Sequence, residues 1–211
     1  MPIQIQKSIF ENVSFSIWEI DESEDFFYSN ISLTENCKKR LNSMNSSQKR
    51  KQFLAVRKLI KLYDIDLNDL EYNPNGAPEL KNGKKISISH TNGFSAIAIS
   101  EKPAGIDIQA YRKKILSVSH KFLNESEKKI INSKSIKELT LIWSIKESIY
   151  KTYQKSDLSF KRDIEIKSFE DDFKYSSVIL NKSNKKTFFK SKNIIQSDYI
   201  CSIVTENEWA N

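Results

Sequence analysis

Asp107 and Gln109 on one short segment, and Glu147 and Lys151 on another, are the residue types that hold a hard cation and a phosphate. In the run from Ala104 to Gln109, Ile106 and Ile108 alternate with the acid and the amide. An extended segment therefore buries the two isoleucines and presents Asp107 and Gln109 about 7 Å apart on its other side. Between Trp143 and Lys151, a helix at about 100° per residue puts Trp143, Glu147 and Lys151 on one face, with Leu141, Ile142, Ile145 and Ile149 roughly opposite. Such a helix packs its apolar stripe inward and leaves its Glu/Lys face to line a cleft. Oxygen donors from the strand and a carboxylate from the helix can hold one Mg²⁺, and the lysine beside them can hold phosphate. A Glu four residues before a Lys is also the best surface ion pair of an exposed helix, and Asp107 alone is equally a strand-end turn residue.

These residues need elements to carry them. Ser135 followed by Glu138 is a capping box that starts the Trp143 helix, and Asn124 followed by Glu127 predicts a further helix before it. Upstream, residues 1–20 alternate enough to give one or two strands, and the acids from Asp21 to Asp25 open a short helix. The stretch 46–63 predicts a longer helix capped by Ser46 or Ser47. It has an apolar stripe of Phe53, Val56, Ile60 and Tyr63 and a basic stripe of Arg50, Arg57 and Lys61. Turns follow at Asn73-Pro74-Asn75-Gly76, at Asn82-Gly83 (read as a hairpin joining 79–81 to 84–90) and at Thr91-Asn92-Gly93, which leads into a strand from Phe94. Beyond 155 the pattern is strands: 163–169, 175–180, 187–189 and 199–204.

Gly105-Ile106-Asp107-Ile108 and Trp143-Ser144-x-Lys146-Glu147-Ser148-x-x-Lys151, in this order and about 40 residues apart, together resemble the two signatures of the 4′-phosphopantetheinyl transferase superfamily. More narrowly, the chain is similar to its monomeric, surfactin-synthetase-type branch. The likeness extends to Ser89 and His90, which match the family's Ser-His pair on coenzyme phosphates. It extends also to Gln48, Ala55 and Arg57, of which Arg57 matches an arginine gripping the nucleotide end of coenzyme A. The family's usual Gly-Lys-Pro turn is here Gly76-Ala77-Pro78, which leaves that lysine's contact to Lys81, Lys84 or Lys85.

The resemblance implies an α+β fold of two similar α/β halves related by a pseudo-two-fold, with antiparallel strands packed on helices. The halves are placed at 1–103, with the coenzyme-binding helix and strands, and 104–211, with the metal-site strand and the catalytic helix. The implied reaction moves 4′-phosphopantetheine from coenzyme A to a serine of an acyl- or peptidyl-carrier protein and releases adenosine 3′,5′-bisphosphate. Asp107 and Glu147, with Gln109 beside them, would hold Mg²⁺, and Lys151 would neutralise phosphate. Glu147 is also the candidate for taking the serine proton. Trp143 and Ser144 are expected to fix the helix, and Lys146 is expected to approach substrate.

Composition narrows the alternatives. With 38% hydrophobic residues the chain predicts a globular protein, and its formal charge of +7 suits anionic partners. No apolar run is long enough to span a bilayer and the first residues lack a signal-peptide pattern, so the expectation is a cytoplasmic monomer engaging neither membrane nor nucleic acid. Two cysteines and two histidines suggest neither a disulfide framework nor a zinc site. The absence of a phosphate-binding glycine loop removes the common nucleotide folds. Two readings compete. Asp157 with Glu165 and Lys167 imitates a metal-dependent nuclease, and Arg50, Arg57, Arg112, Lys113 and Lys114 would serve a non-catalytic nucleic-acid-binding module.

Overall fold

The computed structural model describes residues 3–10, 12–29, 31–154 and 157–207, and the chain divides into two compact units, 1–101 and 102–211. Both combine antiparallel strands with helices, so the α+β class expected from the sequence holds.

The first unit contains β1 (Ile3–Ile9), β2 (Val13–Glu19), α1 (Glu24–Tyr28), α2 (Glu35–Asn42), α3 (Ser47–Lys61), β3 (Leu70–Tyr72), β4 (Pro78–Leu80), β5 (Lys85–Thr91) and β6 (Phe94–Ser100). Its main sheet runs β1-β2-β6-β5, with every neighbour antiparallel. Ser46 caps α3, its hydroxyl accepting from the Lys49 N–H. Leu54, Leu59 and Ile60 then turn inward with no exposure, onto a core that includes Trp18, Ile97 and Ile99. Each such side chain contributes about 1.5–3 kcal/mol relative to exposure, which outweighs the weak helix propensity of a segment so rich in charge. The Asn82-Gly83 turn does not join a hairpin. β4 pairs with β3 through Leu70 and Leu80, whereas β5 pairs with β6, because Leu80 reaches the core at the end of its short strand and the chain must re-enter the main sheet afterwards.

The second unit contains β7 (Ala104–Ala110), α4 (Lys114–Val118), α5 (Ile136–Tyr153), β8 (Ile164–Glu170), β9 (Tyr175–Lys182), β10 (Lys185–Ile195) and β11 (Tyr199–Glu206). One antiparallel sheet runs β7-β11-β10-β9-β8. β10 is far longer than the expected strand at 187–189, since it pairs along its length with both β9 and β11. The helix expected after Asn124 is a single 3₁₀ turn, Glu127–Lys129. Its capping box does form, with Glu127 N–H donating to Asn124 Oδ1 and Asn124 N–H to Glu127 Oε2. The Glu127 carboxylate is also drawn into the core, where its other oxygen accepts from the Ile166 N–H. That anchoring ends the turn where a helix would have continued. Both cysteines are free and buried, and no helix among the described residues is long and apolar enough to cross a membrane.

Candidate active site

The second unit's chemistry depends on how closely α5 lies on β7 and β11. Ser135 caps the helix, accepting from the Glu138 N–H at 3.3 Å, and Gln154 ends it in the left-handed region. Leu141, Ile142, Ile145 and Ile149 all face the core, as their spacing requires. Small residues line the seam between helix and sheet. Ser144 Oγ donates to the Asp107 carbonyl at 3.0 Å, and Ser148 Oγ to the Ser202 carbonyl at 2.9 Å. A Cβ at Gly105 would stand 2.0 Å from the Ser148 carbonyl oxygen. Only glycine lets the two backbones meet there. A glycine inside a strand pattern is the sequence signal for such an approach, and Gly105 carried it, read only as part of a motif.

That seam sets four side chains together. Asp107 is buried at 2% exposure. Its Oδ1 accepts from Lys151 Nζ at 2.7 Å and its Oδ2 from the Gln109 amide nitrogen at 2.8 Å. Lys151 Nζ also donates to the Ile106 carbonyl at 3.0 Å, so the ammonium fixes the strand and its carboxylate together. Gln109 does lie beside Asp107, and it presents its N–H rather than its oxygen. Glu147 completes the group one helical turn before Lys151. Burial first, and the Asp107 charge second, push its carboxyl up to about 7, against the pull of Lys151.

Lys146 is not where the sequence put it. Far from approaching substrate, it has no exposure and donates to Glu127 at 2.8 Å and to the carbonyls of Phe122, Phe160 and Ile164. A residue 100° round the helix from Glu147 points into the core, and partners far off in sequence make that position tenable for a charge. Trp143 packs between Phe122 and Phe160, ring centroids 5.1 and 5.3 Å away.

In the first unit, Ser89 is buried and His90 exposed at the end of β5. Nearby, Gln52 of α3 donates its amide to the Thr91 carbonyl. Arg57 is not brought beside them, since it lies about 140° round the helix from Gln52. It is 3% exposed, stacks on Phe53 at 3.3 Å, and donates to the Tyr72 hydroxyl at 3.1 Å. Its Nε–H, also buried, has no partner among the described residues. Arg57 helps line a cavity of about 930 Å³, together with Lys39, Arg40, Tyr72 and Lys81. Of the three lysines considered in place of the missing one at Ala77, Lys81 alone is among these lining residues. Arg40 stacks on the Tyr72 ring at 4.0 Å. The sequence does not mark Arg40 and Tyr72 as companions of Lys81 and Arg57, because their spacing follows no single period.

Residues 103–204, nearly the whole second unit with its strand and helix signatures, match the family model of the 4′-phosphopantetheinyl transferase superfamily. This stretch is similar to that superfamily. The chain is also 29% identical over 140 residues to a 4′-phosphopantetheinyl transferase of Aneurinibacillus migulanus, a match spanning 63% of this chain and 57% of that protein.

The Asp107–Glu147 pair has the donor chemistry of a Mg²⁺ centre. Mg²⁺ takes one or two carboxylates from protein and completes its shell with water and substrate phosphates. The described residues hold no group of three or more His, Cys, Asp or Glu side chains that could share a metal. Burial raises Glu147 most and the Asp107 charge adds to it; a cation between the two would relieve that second part. Some residues of the competing constellations have other partners. Asp157 pairs with Lys182, and Glu165 accepts from Ser126 and Lys167. Arg50 forms an ion pair with Glu24 at 2.6 Å and Arg57 is buried, whereas Lys61, Arg112, Lys113 and Lys114 are exposed.

Proposed function

We propose that the protein transfers 4′-phosphopantetheine from coenzyme A to a serine of an acyl- or peptidyl-carrier protein, with Mg²⁺, and releases adenosine 3′,5′-bisphosphate. The observation that carries this reading is the meeting of Asp107, Glu147 and Lys151 within a stretch similar to the transferase superfamily. Asp107 and Glu147, with Gln109 alongside, would hold Mg²⁺, which when bound supplies positive charge against the pyrophosphate.

The chain's own residues account for the rest. Lys151, half-buried one turn from Glu147, is placed to neutralise phosphate charge as it builds on the leaving oxygens. The serine oxygen bonds to the phosphorus that carries pantetheine, the bond from that phosphorus to the bisphosphate breaks, and Glu147 takes the serine proton. In the first unit, Ser89 and His90 are proposed to contact coenzyme phosphates. The cavity lined by Arg57 and Lys81 is proposed to receive the nucleotide end, whose phosphate would supply the partner that the Arg57 Nε–H lacks. The two halves would act within one cytoplasmic monomer.

Incubation with coenzyme A, Mg²⁺ and an apo carrier protein, followed by intact mass, tests this directly. The expected product is the carrier heavier by one phosphopantetheine. A carrier left unmodified across acyl and peptidyl types would overturn it.

A further inference from the structure

The buried Lys146 ammonium lies next in sequence to Glu147 and takes no part in the chemistry above. Its side chain and that of Glu127 are both fully shielded from solvent. Four oxygens surround the nitrogen: Phe122 O at 2.8 Å, Glu127 Oε2 at 2.8 Å, Phe160 O at 2.9 Å and Ile164 O at 3.0 Å. Glu127 in turn accepts from the N–H groups of Asn124 and Ile166. One ion pair thus ties α5 to three separate stretches of backbone: the end of the 3₁₀ turn Ser119–Lys121, the connection at 157–163, and the start of β8.

Stability alone is a poor reason for this arrangement. Removing two charges from water costs several kcal/mol each, and well-packed apolar replacements of such pairs are often neutral or stabilising. What an apolar pair cannot do is fix three carbonyls at once. Two of those carbonyls belong to Phe122 and Phe160, whose rings hold Trp143 between them, and Phe160 also packs on Tyr150 at 5.8 Å. Trp143 stands four residues before Glu147 and Tyr150 three after it, so these rings flank the carboxyl along one helix face. The ammonium therefore holds, from the core side, the loops that form the aromatic surround of Glu147.

We propose that Lys146, with Glu127, is a positioning residue for the transfer reaction. It clamps the 119–127 and 157–164 segments onto α5, so that Glu147 and Lys151 present a fixed geometry to the reacting phosphate. This rests on the transferase reading of the site, and it adds a group that touches neither substrate nor metal.

The test uses the full chain with Lys146→Met, and with Glu127→Gln, which keeps the side-chain shape and removes the other charge. Two readouts are needed. In the transfer assay, kcat should fall about 100-fold in Lys146→Met, the scale of a misplacement of roughly 1 Å, while KM for coenzyme A stays within roughly twofold. Glu127→Gln should show the same split, with a fall of about tenfold. By hydrogen exchange, amides at 122–124 and 158–164 should open at least about tenfold faster in both variants, with the amides of α5 still protected. Loops that exchange at the parental rate, or freed loops with unchanged kcat, would overturn the proposal. If Lys146→Met does not fold, Glu127→Gln decides by the same two measurements. A parental chain that makes no product would defeat the transferase reading and with it the catalytic half of the proposal, whereas exchange alone would still decide whether the clamp exists.

Discussion

Glu147 is held between two influences, burial with the Asp107 charge on one side and the Lys151 ammonium on the other, and the first prevails. A carboxyl raised from 4.5 to about 7 in the folded protein binds its proton more tightly there than in the unfolded chain. Its contribution to stability is therefore fully present below about 4.5 and lost as pH rises through about 7. The metal-free protein should lose on the order of 1–2 kcal/mol between pH 5 and pH 8 from this group, after discounting for solvent screening. Denaturant melts of the parental protein and of Glu147→Gln check it: the variant should lack that slope. Mg²⁺ with coenzyme A should flatten the parental slope as well. Gln109 offers a second test at this scale. It gives an N–H to Asp107 and brings no charge, so Gln109→Glu should lower the Mg²⁺ concentration for half-maximal transfer severalfold, since it adds a third carboxylate. Coincident Mg²⁺ curves for the parental protein and the variant would place this side chain outside the metal's reach.

At the scale of elements, the contact of α5 with β7 governs the site. Gly105→Ala would drive a methyl into the Ser148 carbonyl and the Thr152 hydroxyl, and backbone cannot give way as a side chain can. Helix and strand must separate, at a cost of about 1–3 kcal/mol or more, and transfer should fall at least tenfold even where the fold persists. A Gly105→Ala protein with parental melting and turnover would show that the helix rides more loosely than described. Much of α5 was legible in advance, because a cap and a 3.6-residue stripe are local: Ser135 caps where expected and the four isoleucines and leucines face inward. Lys146 was not legible. Its partners lie 14 to 24 residues away, and a lysine within a polar face reads as solvated unless those partners are known. The pairing of β4 with β3 was missed for a related reason, since Asn82-Gly83 marks a turn without saying which strand the next segment joins.

For the molecule as a whole, the sequence places the halves at 1–103 and 104–211, and the chain separates into compact units at 1–101 and 102–211. The first unit's part is tested through Arg57. Arg57→Met keeps apolar volume over Phe53 and removes the charge, so KM for coenzyme A should rise at least tenfold with kcat little changed. A fall in kcat at constant KM would count against the nucleotide assignment. The sealing of Lys146 has one more consequence, for amine chemistry. An acylating reagent in water meets Lys137 exposed near the start of α5, Lys151 part-shielded near its end, and Lys146 not at all. These three lysines on one helix make an internal scale, with Lys137 reporting full access and Lys146 the opening of the second unit's core. Lys151 alone should lose its label when coenzyme A occupies the site. Limited acetylation read by peptide mass can therefore separate ligand occupancy from unfolding in one sample, without any assay of turnover.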